Sequence, residues 1–321
     1  MPIVFTIAGF FIAFLVNLLF PQKADIIINE YVIGNVSWNM NILYRCFLLT
    51  LVTVYLVNGV ISFRNKKRKK YYIHRAPFRF AMGIALAVWD VGGTKLQVFP
   101  QPFFPGPAGI AEAFLQESEY IWENMVYSLR LFVVGFVIGV IVGIATGILI
   151  GWFPKVNYWL SPVLNISGII PAVAWMPFAL ILFPTSFAAA AFLLAISTWF
   201  PVASMTALGI SSTPKAQFEA AKTLGAKSNA LIFHVAVPHA MPQIFVGITT
   251  AEAYVFATLV MAEMMGQPGG LGYYINASKV WSAYYKVFAA IIVMAVLFSL
   301  ISKAIEFLQK RILKWQKGIV K

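Results

Sequence analysis

Charged residues are scarce in this sequence. Asp, Glu, Lys and Arg account for 11% of the 321 residues, whereas hydrophobic residues account for 60%. Soluble globular domains carry about a quarter charged and about half apolar residues, so the composition excludes that class and predicts an integral membrane protein. The net charge of +13 would suggest a nucleic-acid partner for a soluble protein. In a membrane protein the net charge is informative only through the positions of the charged residues relative to the membrane. We therefore expect no nucleic-acid partner.

The residues that redox, metal and nucleotide chemistry require are also few. The one cysteine, Cys46, lies in an apolar run and cannot form an internal disulfide. Of the three histidines, His234 and His239 are close in sequence but do not share a helical face, so they predict no metal site. No G-x-x-x-x-G-K-[ST] phosphate loop occurs, and no His/Asp/Glu constellation marks a membrane-embedded active site. We therefore expect neither an enzyme nor a cofactor site in this chain.

Long apolar runs are what the sequence has in abundance. A helix needs about 20 apolar residues to cross the hydrocarbon core, and these runs predict an all-α, polytopic transmembrane helical bundle with about eight spans. The predicted spans are residues 2–20, 42–63, 78–95, 122–152, 159–184, 186–208, 239–263 and 286–308. The third is the weakest because Asp90 and two glycines interrupt it.

Basic residues lie mostly on one side of the predicted bundle. With eight spans, 18 Lys and Arg residues fall on one face, mainly in the loop 64–79 and the tail 303–321, and four fall on the opposite face. Because basic loops tend to stay in the cytoplasm, both termini are predicted to be cytoplasmic. The basic run Arg64–Lys70 is interpreted first as a topology anchor against anionic lipid head groups. A specific lipid site and a nucleic-acid patch are the alternatives.

Residues 219–238, EAAKTLGAKSNALIFHVAVP, are short-side-chained and mildly basic between two long apolar runs. Thr213-Pro214 predicts a helix start with a hydroxyl cap. Gly225 predicts the end of that helix, because glycine tolerates the left-handed cap conformation. A second helical piece from Ser228 is expected to stop at Pro238. The segment therefore predicts a cytosolic helix–turn–helix that docks into a groove on a soluble partner.

The spacing of this segment resembles the cytoplasmic EAA loop of permease subunits of bacterial ABC importers. The family pattern is EAA, three residues, Gly, nine residues, then I-x-L-P, and here Val235 and Val237 replace the Ile and the Leu. The run IIPAVAWMPFALILF and the strings FEAAKTLGAKS, MAEMM and GLGYYI resemble the nitrate, sulfonate, taurine and bicarbonate branch. The resemblance covers about 100–308. It implies a type I importer permease core in 78–321, preceded by two extra transmembrane helices and the basic loop in 1–77.

The resemblance also implies how the chain would work. In that family the loop, here residues 213–238, docks into a cleft of a separate ATP-binding subunit, which binds the ATP and Mg²⁺. The residues expected to couple to this ATPase are Glu219, Ala220, Ala221, Gly225 and Pro238. The other expected partners are a second permease subunit, identical or a sister chain, an extracytoplasmic substrate-binding protein and membrane lipid. The implied location is the bacterial inner membrane.

The predicted fifth span contains two prolines that flank Trp175 and Met176. Irregular backbone within a membrane is tolerated only where protein or a water-filled cavity covers it. We therefore interpret Pro171, Trp175 and Met176 as candidates for the translocation pathway, and a kink that serves packing alone is the alternative. Ser197 and Thr198 are weaker candidates.

Two carboxylates, Glu252 and Glu263, lie on the predicted seventh span. They are eleven residues apart, which places them on one helical face about 16 Å apart. Ionisable groups in a membrane are costly and often functional, so both are further candidates for the pathway. Neighbouring threonines, including Thr258, could instead satisfy them as structural groups.

The leading prediction is the permease subunit of an ATP-driven ABC importer for a small solute, an anion such as nitrate, sulfonate, taurine or bicarbonate. The alternative is an ATP-independent polytopic channel or secondary carrier. That class would show intramembrane charge chains and internal repeats, whereas this sequence has scattered carboxylates and no clear repeat. The transported substrate stays open at this point.

Overall fold

The protein is described by a computed structural model that covers residues 2–23, 28, 30–33 and 36–315. The described chain is almost entirely helical, which confirms the predicted fold class. Its helices are α1 Pro2–Leu19, α2 Met40–Phe63, α3 Lys66–His74, α4 Ala76–Trp89, α5 Pro107–Gln116, α6 Ser118–Trp152, α7 Pro154–Ile169, α8 Met176–Leu182, α9 Ser186–Ser211, α10 Lys215–Thr223, α11 Ser228–Ala230, α12 Val237–Gly266, α13 Leu271–Val280 and α14 Tyr284–Ile312. Strands β1 Glu30–Ile33 and β2 Val36–Asn39 form an antiparallel hairpin.

Three shorter helical turns complete the list of elements. One is a 3-10 turn over Ala172–Trp175, and two are π-helical turns over Asp90–Lys95 and Leu231–Ala236. The π-helical turn Leu231–Ala236 connects α11 directly to α12.

The described chain has five helices that are long and apolar enough to cross a membrane, and six spans if the bent pair of α7 with the segment that ends in α8 counts as one. Eight were predicted. The difference arises at the first and third predicted spans. Helix α1 has 18 residues, close to the lower limit for a crossing. Helix α4 continues into the π-helical turn as far as Lys95, but Arg79, Asp90 and Lys95 lower the hydropathy of this segment.

Contacts divide the chain into two compact units, one of Met1–Ile121 with Ala277–Ile291 and one of Trp122–Asn276 with Ile292–Lys321. Residues 316–321, which end the basic tail, lie outside the described residues. Helices α4 and α5 thus group with the N-terminal helices. These contact units do not test where the importer core begins. The predicted start of that core after residue 77 therefore stays a prediction.

In the first unit, α1 and α4 lie backbone to backbone. A Cβ added to Gly83 would lie 2.5 Å from the backbone nitrogen of Phe10, and one added to Gly9 would meet the backbone of Phe80 equally closely. Such close approach is typical of small residues at helix crossings in membranes. Tyr44 and Leu48 of α2, both almost fully buried, complete the core beside these two helices.

A buried polar network joins three helices of the first unit. The amide of Asn17 on α1 donates to the carboxylate of Asp90, 2.8 Å away, and to the side-chain oxygen of Asn41 on α2 at 3.3 Å. Arg45 donates from Nε to the Asn17 side-chain oxygen at 2.8 Å. Asp90, which weakened the third predicted span, therefore accepts a hydrogen bond through Oδ2 at the end of α4, which lowers the cost of burying it.

In the second unit, α6 and α9 pack through a ridge of glycines. Five glycines recur every four residues along α6 and face α9 side chains with the same spacing; the pairs are Gly135 with Leu194, Gly139 with Thr198, Gly143 with Val202, Gly147 with Thr206 and Gly151 with Ile210. A Cβ on Gly139 would lie 2.7 Å from the carbonyl oxygen of Ala195. No side chain fits there, so the two backbones meet directly.

The centre of the second unit lies between α9 and α12. Leu193, Leu194, Val255 and Leu259 are buried there to 1% exposure or less. Gly247 of α12 sits so close to α9 that a Cβ would lie 2.9 Å from the carbonyl oxygen of Pro201. These contacts give α12 a fixed position against α9. The polar segment 213–238, predicted to dock onto a soluble partner, leads into α12.

Candidate functional site

The polar hairpin, residues 213–238, begins after α9, and its first arm lies outside the hydrophobic core. Helix α10 starts at Lys215 with Pro214 as its N-cap residue and has no buried residue. The predicted hydroxyl cap is wrong: the hydroxyl of Thr213 donates to the carbonyl oxygen of Gly209 at 3.4 Å, so it closes α9 rather than opening α10. Proline at this position loses no hydrogen bond, because the first N–H groups of a helix are unpaired in any case.

The turn of the hairpin depends on Gly225. Its φ angle is +82°, in the left-handed region that residues with a Cβ rarely adopt. Its N–H donates to the carbonyl oxygen of Lys222 at 2.9 Å, and the N–H of Ala226 donates to that of Ala221 at 3.0 Å. These bonds satisfy the last carbonyls of α10, so the predicted left-handed cap at Gly225 is confirmed.

The second arm of the hairpin is continuous with a membrane span. A stop at Pro238 was predicted, and this is wrong: α11, the π-helical turn and α12 form one apolar helix over Ser228–Gly266. Pro238 lies in the first turn of α12, directly after the π-helical turn, where the altered hydrogen-bond pattern accommodates a residue without an N–H. The arm and the span therefore form one rigid element.

The exposed face of the hairpin surrounds an open cavity of about 760 Å³. Glu219, Lys222 and Gly225 line it together with Ser228 at the start of the second arm. The side chain of Leu224 at the tip is 89% exposed. Of the five predicted coupling residues, Glu219, Ala220, Gly225 and Pro238 are exposed and Ala221 is half-buried. The first four in sequence lie in the first arm and the turn, and Pro238 lies at the base of the second arm.

An aromatic pair fixes the hairpin to the end of α6. The rings of Phe218 and Trp152 meet edge to face with 5.5 Å between their centroids. Both pack against a buried cluster formed by Ile210, Ala240 and Ile244. Helix α10 thus contacts the ends of three helices, α6, α9 and α12.

The predicted fifth span is broken as expected, but the break is sharper than a kink. Helix α7 ends at Ile169, and the axis turns by 100° before the segment Ala172–Leu182. Pro171 lies in the break with φ −55° and ψ 131°. Prolines restart the helix at this point because they favour the first turn and cannot continue the preceding one.

A cavity of about 350 Å³ lies at this break. Most of its lining is apolar, including Ile169, Phe200 and Met261. Pro171 lies at its edge, and hydroxyl side chains from three helices also reach it, namely Ser167, Ser197, Tyr254 and Thr258. The Ser197 and Thr258 hydroxyls are 3.1 Å apart and share a hydrogen bond. The cavity therefore combines irregular backbone with hydroxyl groups that donate and accept.

Trp175 and Met176, the other two candidates in the broken span, do not line this cavity. Met176 is 2% exposed and belongs to the hydrophobic core. The indole Nε1 of Trp175 is buried and has no acceptor among the residues that the structure describes, and its ring lies 6.2 Å from that of Phe178. Their predicted role in the pathway is not tested by these positions and stays a prediction.

Glu252 and Glu263 are both buried on α12 and lie in different environments. Glu252 is 7% exposed and accepts a hydrogen bond from the hydroxyl of Ser302 on α14. Glu263 is 1% exposed and accepts from the N–H of Gly272 at 2.8 Å, in the first turn of α13. A carboxylate at a helix N-terminus satisfies free N–H groups and is favoured by the helix dipole. Each carboxylate thus has a structural partner, and a role in the pathway stays a prediction.

The residues matched by a known family include the hairpin, the cavity and both carboxylates. Residues 135–315 match the family described as the inner membrane component of binding-protein-dependent transport systems. The chain belongs to this family. It is the permease subunit of an ABC importer and a multi-pass protein of the inner membrane.

Two relatives place the permease in the predicted branch. It is 31% identical over 237 residues to SsuC of Bacillus subtilis, a permease named for aliphatic sulfonates, and the match covers 73% of this chain and 86% of SsuC. It is 27% identical over 241 residues to the taurine transport system permease protein TauC of Escherichia coli, covering 73% of this chain and 87% of TauC.

A solved structure shares the fold. A permease chain of the methionine ABC transporter MetNI in an inward-facing conformation superimposes with a TM-score of 0.53 and 22% identity, covering 61% of this chain and 98% of that chain. At this identity the likeness concerns the fold of the permease.

Sequence reasoning missed several residues of these sites. Phe218 and Trp152 are far apart in sequence, so their contact required the fold. Tyr254 and Thr258 are four residues apart on α12, which places their hydroxyl groups on one face of the helix. This spacing was the available sequence signal for a shared polar surface.

Proposed function

We propose that the hairpin 213–238 couples this permease to a separate ATPase subunit, which binds ATP and Mg²⁺ and supplies the energy for import. The observation that carries this proposal is the exposed hairpin surface around Glu219 and Gly225, attached to a helix that continues without a break into the core. Glu219 is exposed on a helix without buried residues, so its charge is available to a basic residue of the partner.

The hairpin is built to transmit movement. Its second arm and α12 are one helix, and α12 packs against α9 through small residues that leave no slack, such as Gly209 and Gly247. Closely packed helices shift as units rather than deform. When the ATPase subunits close and move the hairpins, α12 and its neighbours rotate with them.

The pathway that this rotation opens passes the cavity at the break after α7. Its hydroxyl groups, among them Ser197 and Thr258, carry no charge and can donate to an anion in exchange for the hydrogen bonds that they make to each other and to the carbonyl oxygen of Tyr254. Such groups suit a small anion that must bind briefly and leave. The cargo is a small oxyanion: a sulfonate or taurine, for which the two relatives are named, or nitrate or bicarbonate. The substrate-binding protein that delivers it sets the choice among them.

The complete importer contains two permease subunits, which are two copies of this chain or this chain with a sister chain. The two termini, the loop 64–79 and the hairpin share the cytoplasmic side when the short helices α1 and α4 also cross the membrane, and the basic residues in 64–79 and in the tail favour that arrangement.

Uptake by proteoliposomes tests this proposal. The permease is reconstituted with its ATPase and its binding protein, and the uptake of labelled taurine, an alkanesulfonate, nitrate and bicarbonate is compared with and without ATP. We expect ATP-dependent uptake of one of these anions. We expect Ser197→Ala with Thr258→Val to lower it several-fold, whereas Ser299→Ala, which removes an exposed hydroxyl bonded to its own helix, leaves it unchanged. Uptake that proceeds equally without ATP would show a carrier working alone.

A further inference from the structure

The first unit contains a basic pocket that shares no residue with the hairpin or with the cavity after α7. It lies between α2, α3 and α4, has a volume of about 630 Å³, and is formed by residues of the segment 55–79 alone. Lys67, Arg68 and Arg79 line it, and none of its lining side chains is acidic. The segment Arg64–Arg79 as a whole has eight Lys and Arg residues and no Asp or Glu, so an anion in the pocket meets no repulsion from nearby side chains.

The guanidinium of Arg79 is held in place on the floor of the pocket. It stacks over the rings of Tyr72 and Tyr55, at 4.4 and 5.2 Å from their centroids, and its Nη1 donates to the carbonyl oxygen of Tyr72 at 3.4 Å. Tyr72 is 2% exposed, and its hydroxyl donates to the carbonyl oxygen of Tyr55 at 2.9 Å. The floor is therefore fixed before any ligand binds, and the remaining N–H groups of Arg79 keep the fork geometry that matches a phosphate.

Neutral hydrogen-bonding groups complete the lining. Asn58 and Ser62 lie one turn apart near the end of α2, and Tyr71 lies on α3. Ammonium, guanidinium, amide and hydroxyl groups around one cavity form a donor set for a phosphodiester, whose oxygens accept several hydrogen bonds at once.

The surface beside the pocket is apolar. The α2 side chains that lead away from it are exposed, with Val57 at 48%, Val60 at 51% and Ile61 at 46%. Helix α2 is also one of the five helices that meet the length and hydropathy of a membrane span, and only 11% of its most apolar window is buried. A ligand that combines a phosphate with apolar chains fits both surfaces, whereas free phosphate uses the pocket alone.

We propose that this pocket is a binding site for the head group of an anionic phospholipid, with Lys67, Arg68 and Arg79 binding the phosphate and the exposed face of α2 contacting the acyl chains. A bound lipid ties α2, α3 and α4 together at the membrane surface. A specific site differs from a basic run that only anchors the topology. The strength of a general anchor depends on how many basic residues it has, whereas the affinity of a site depends on which basic residues face the pocket.

Native mass spectrometry of the full-length permease in detergent tests the site. Phosphatidylglycerol is titrated into the protein, with phosphatidylcholine and inorganic phosphate as separate arms. The pocket variant is Lys67→Gln with Arg68→Gln. Its matched control is Lys69→Gln with Lys70→Gln, which removes the same charge from the same helix at residues that do not line the pocket. Arg79→Lys keeps the charge and removes the stacked fork.

We expect the Kd for phosphatidylglycerol to rise about tenfold in the pocket variant, because two charge-assisted contacts to the phosphate are lost, and to change less than about twofold in the control. Arg79→Lys should also weaken binding, because lysine keeps the charge but lacks the stacked fork that presents two N–H groups to the phosphate. Equal losses in the two double variants would overturn the proposal, since they indicate a diffuse charge effect. Phosphatidylcholine that binds as well, or inorganic phosphate that binds as tightly as the lipid, would overturn the assignment of an anionic lipid.

Discussion

Phe218 on α10 packs edge to face against Trp152 at the end of α6, with 5.5 Å between the ring centroids. This contact connects the exposed hairpin to a span from which it is separated by more than sixty residues of sequence. The second arm connects the same hairpin to α12 through continuous helix. A force applied to the hairpin therefore acts on two spans, through packing at one and through covalent structure at the other.

The variant Phe218→Ala tests the packed connection. An aromatic pair contributes about 1 kcal/mol beyond the area that it buries, so we expect ATP-dependent uptake to fall about fivefold while the ATPase still copurifies with the permease. The control is Phe307→Ala near the end of α14, outside the hairpin, whose side chain is 61% exposed. Equal uptake by the two variants would contradict a mechanical role for this contact.

Gly225 provides a test of the turn. Its φ of +82° is strained for alanine but accessible to asparagine, and there is open space around its Cβ position. We expect Gly225→Ala to destabilise the hairpin by about 1 kcal/mol or more and to reduce the amount of copurified ATPase, and Gly225→Asn to retain most of it. If alanine and asparagine behave alike, the left-handed conformation is not what the turn requires.

The glycine ridge between α6 and α9 predicts a loss of stability on adding a single methyl group. In Gly139→Ala the new Cβ would lie 2.7 Å from the carbonyl oxygen of Ala195, whereas in Gly266→Ala its nearest neighbour would be 3.7 Å away. Overpacking of this kind costs about 1–3 kcal/mol, so the thermal midpoint in detergent should fall for Gly139→Ala and stay near that of the wild type for Gly266→Ala. A midpoint for Gly139→Ala that matches the control would show that the helices separate easily.

Glu263 provides a test that separates structure from transport. Glu263→Ala leaves the N–H of Gly272 without its acceptor, and a buried unpaired group costs about 1–3 kcal/mol, so the thermal midpoint should fall. Glu263→Gln keeps an oxygen at the same place and should retain both stability and uptake. A Gln variant that is stable but inactive in uptake would place the charge of Glu263 in the pathway.

Much of this architecture could be predicted from composition and short-range pattern. Apolar runs located the long helices, the spacing of Glu219, Gly225 and Pro238 identified the hairpin, and Pro171 located the broken span. These features depend on hydropathy, proline geometry and the left-handed conformation of glycine, all of which are local properties.

Other features depend on contacts that a single sequence does not contain. The four-residue spacing of glycines from Gly135 to Gly151 can be seen in the sequence, but its partner face on α9 is set by packing. The π-helical turn before Val237 accommodates Pro238, so a residue that predicts a break lies inside a continuous helix. The predicted third span, 78–95, ends at Lys95 as the helical structure does, but the π-helical turn from Asp90 and the buried polar network that Asp90 joins could not be seen in the sequence.

The central claim is that a separate ATPase binds the hairpin, and copurification tests it most directly. The permease carries an affinity tag, its ATPase is coexpressed, and the ratio of ATPase to permease is measured for Glu219→Lys and for Glu306→Lys, which reverses another exposed carboxylate, near the end of α14. We predict that the ratio falls to about a tenth of the wild-type value or less for Glu219→Lys, as expected when a charge pair becomes a repulsion at an interface, and is unchanged for Glu306→Lys. A wild-type ratio for Glu219→Lys would contradict the claim.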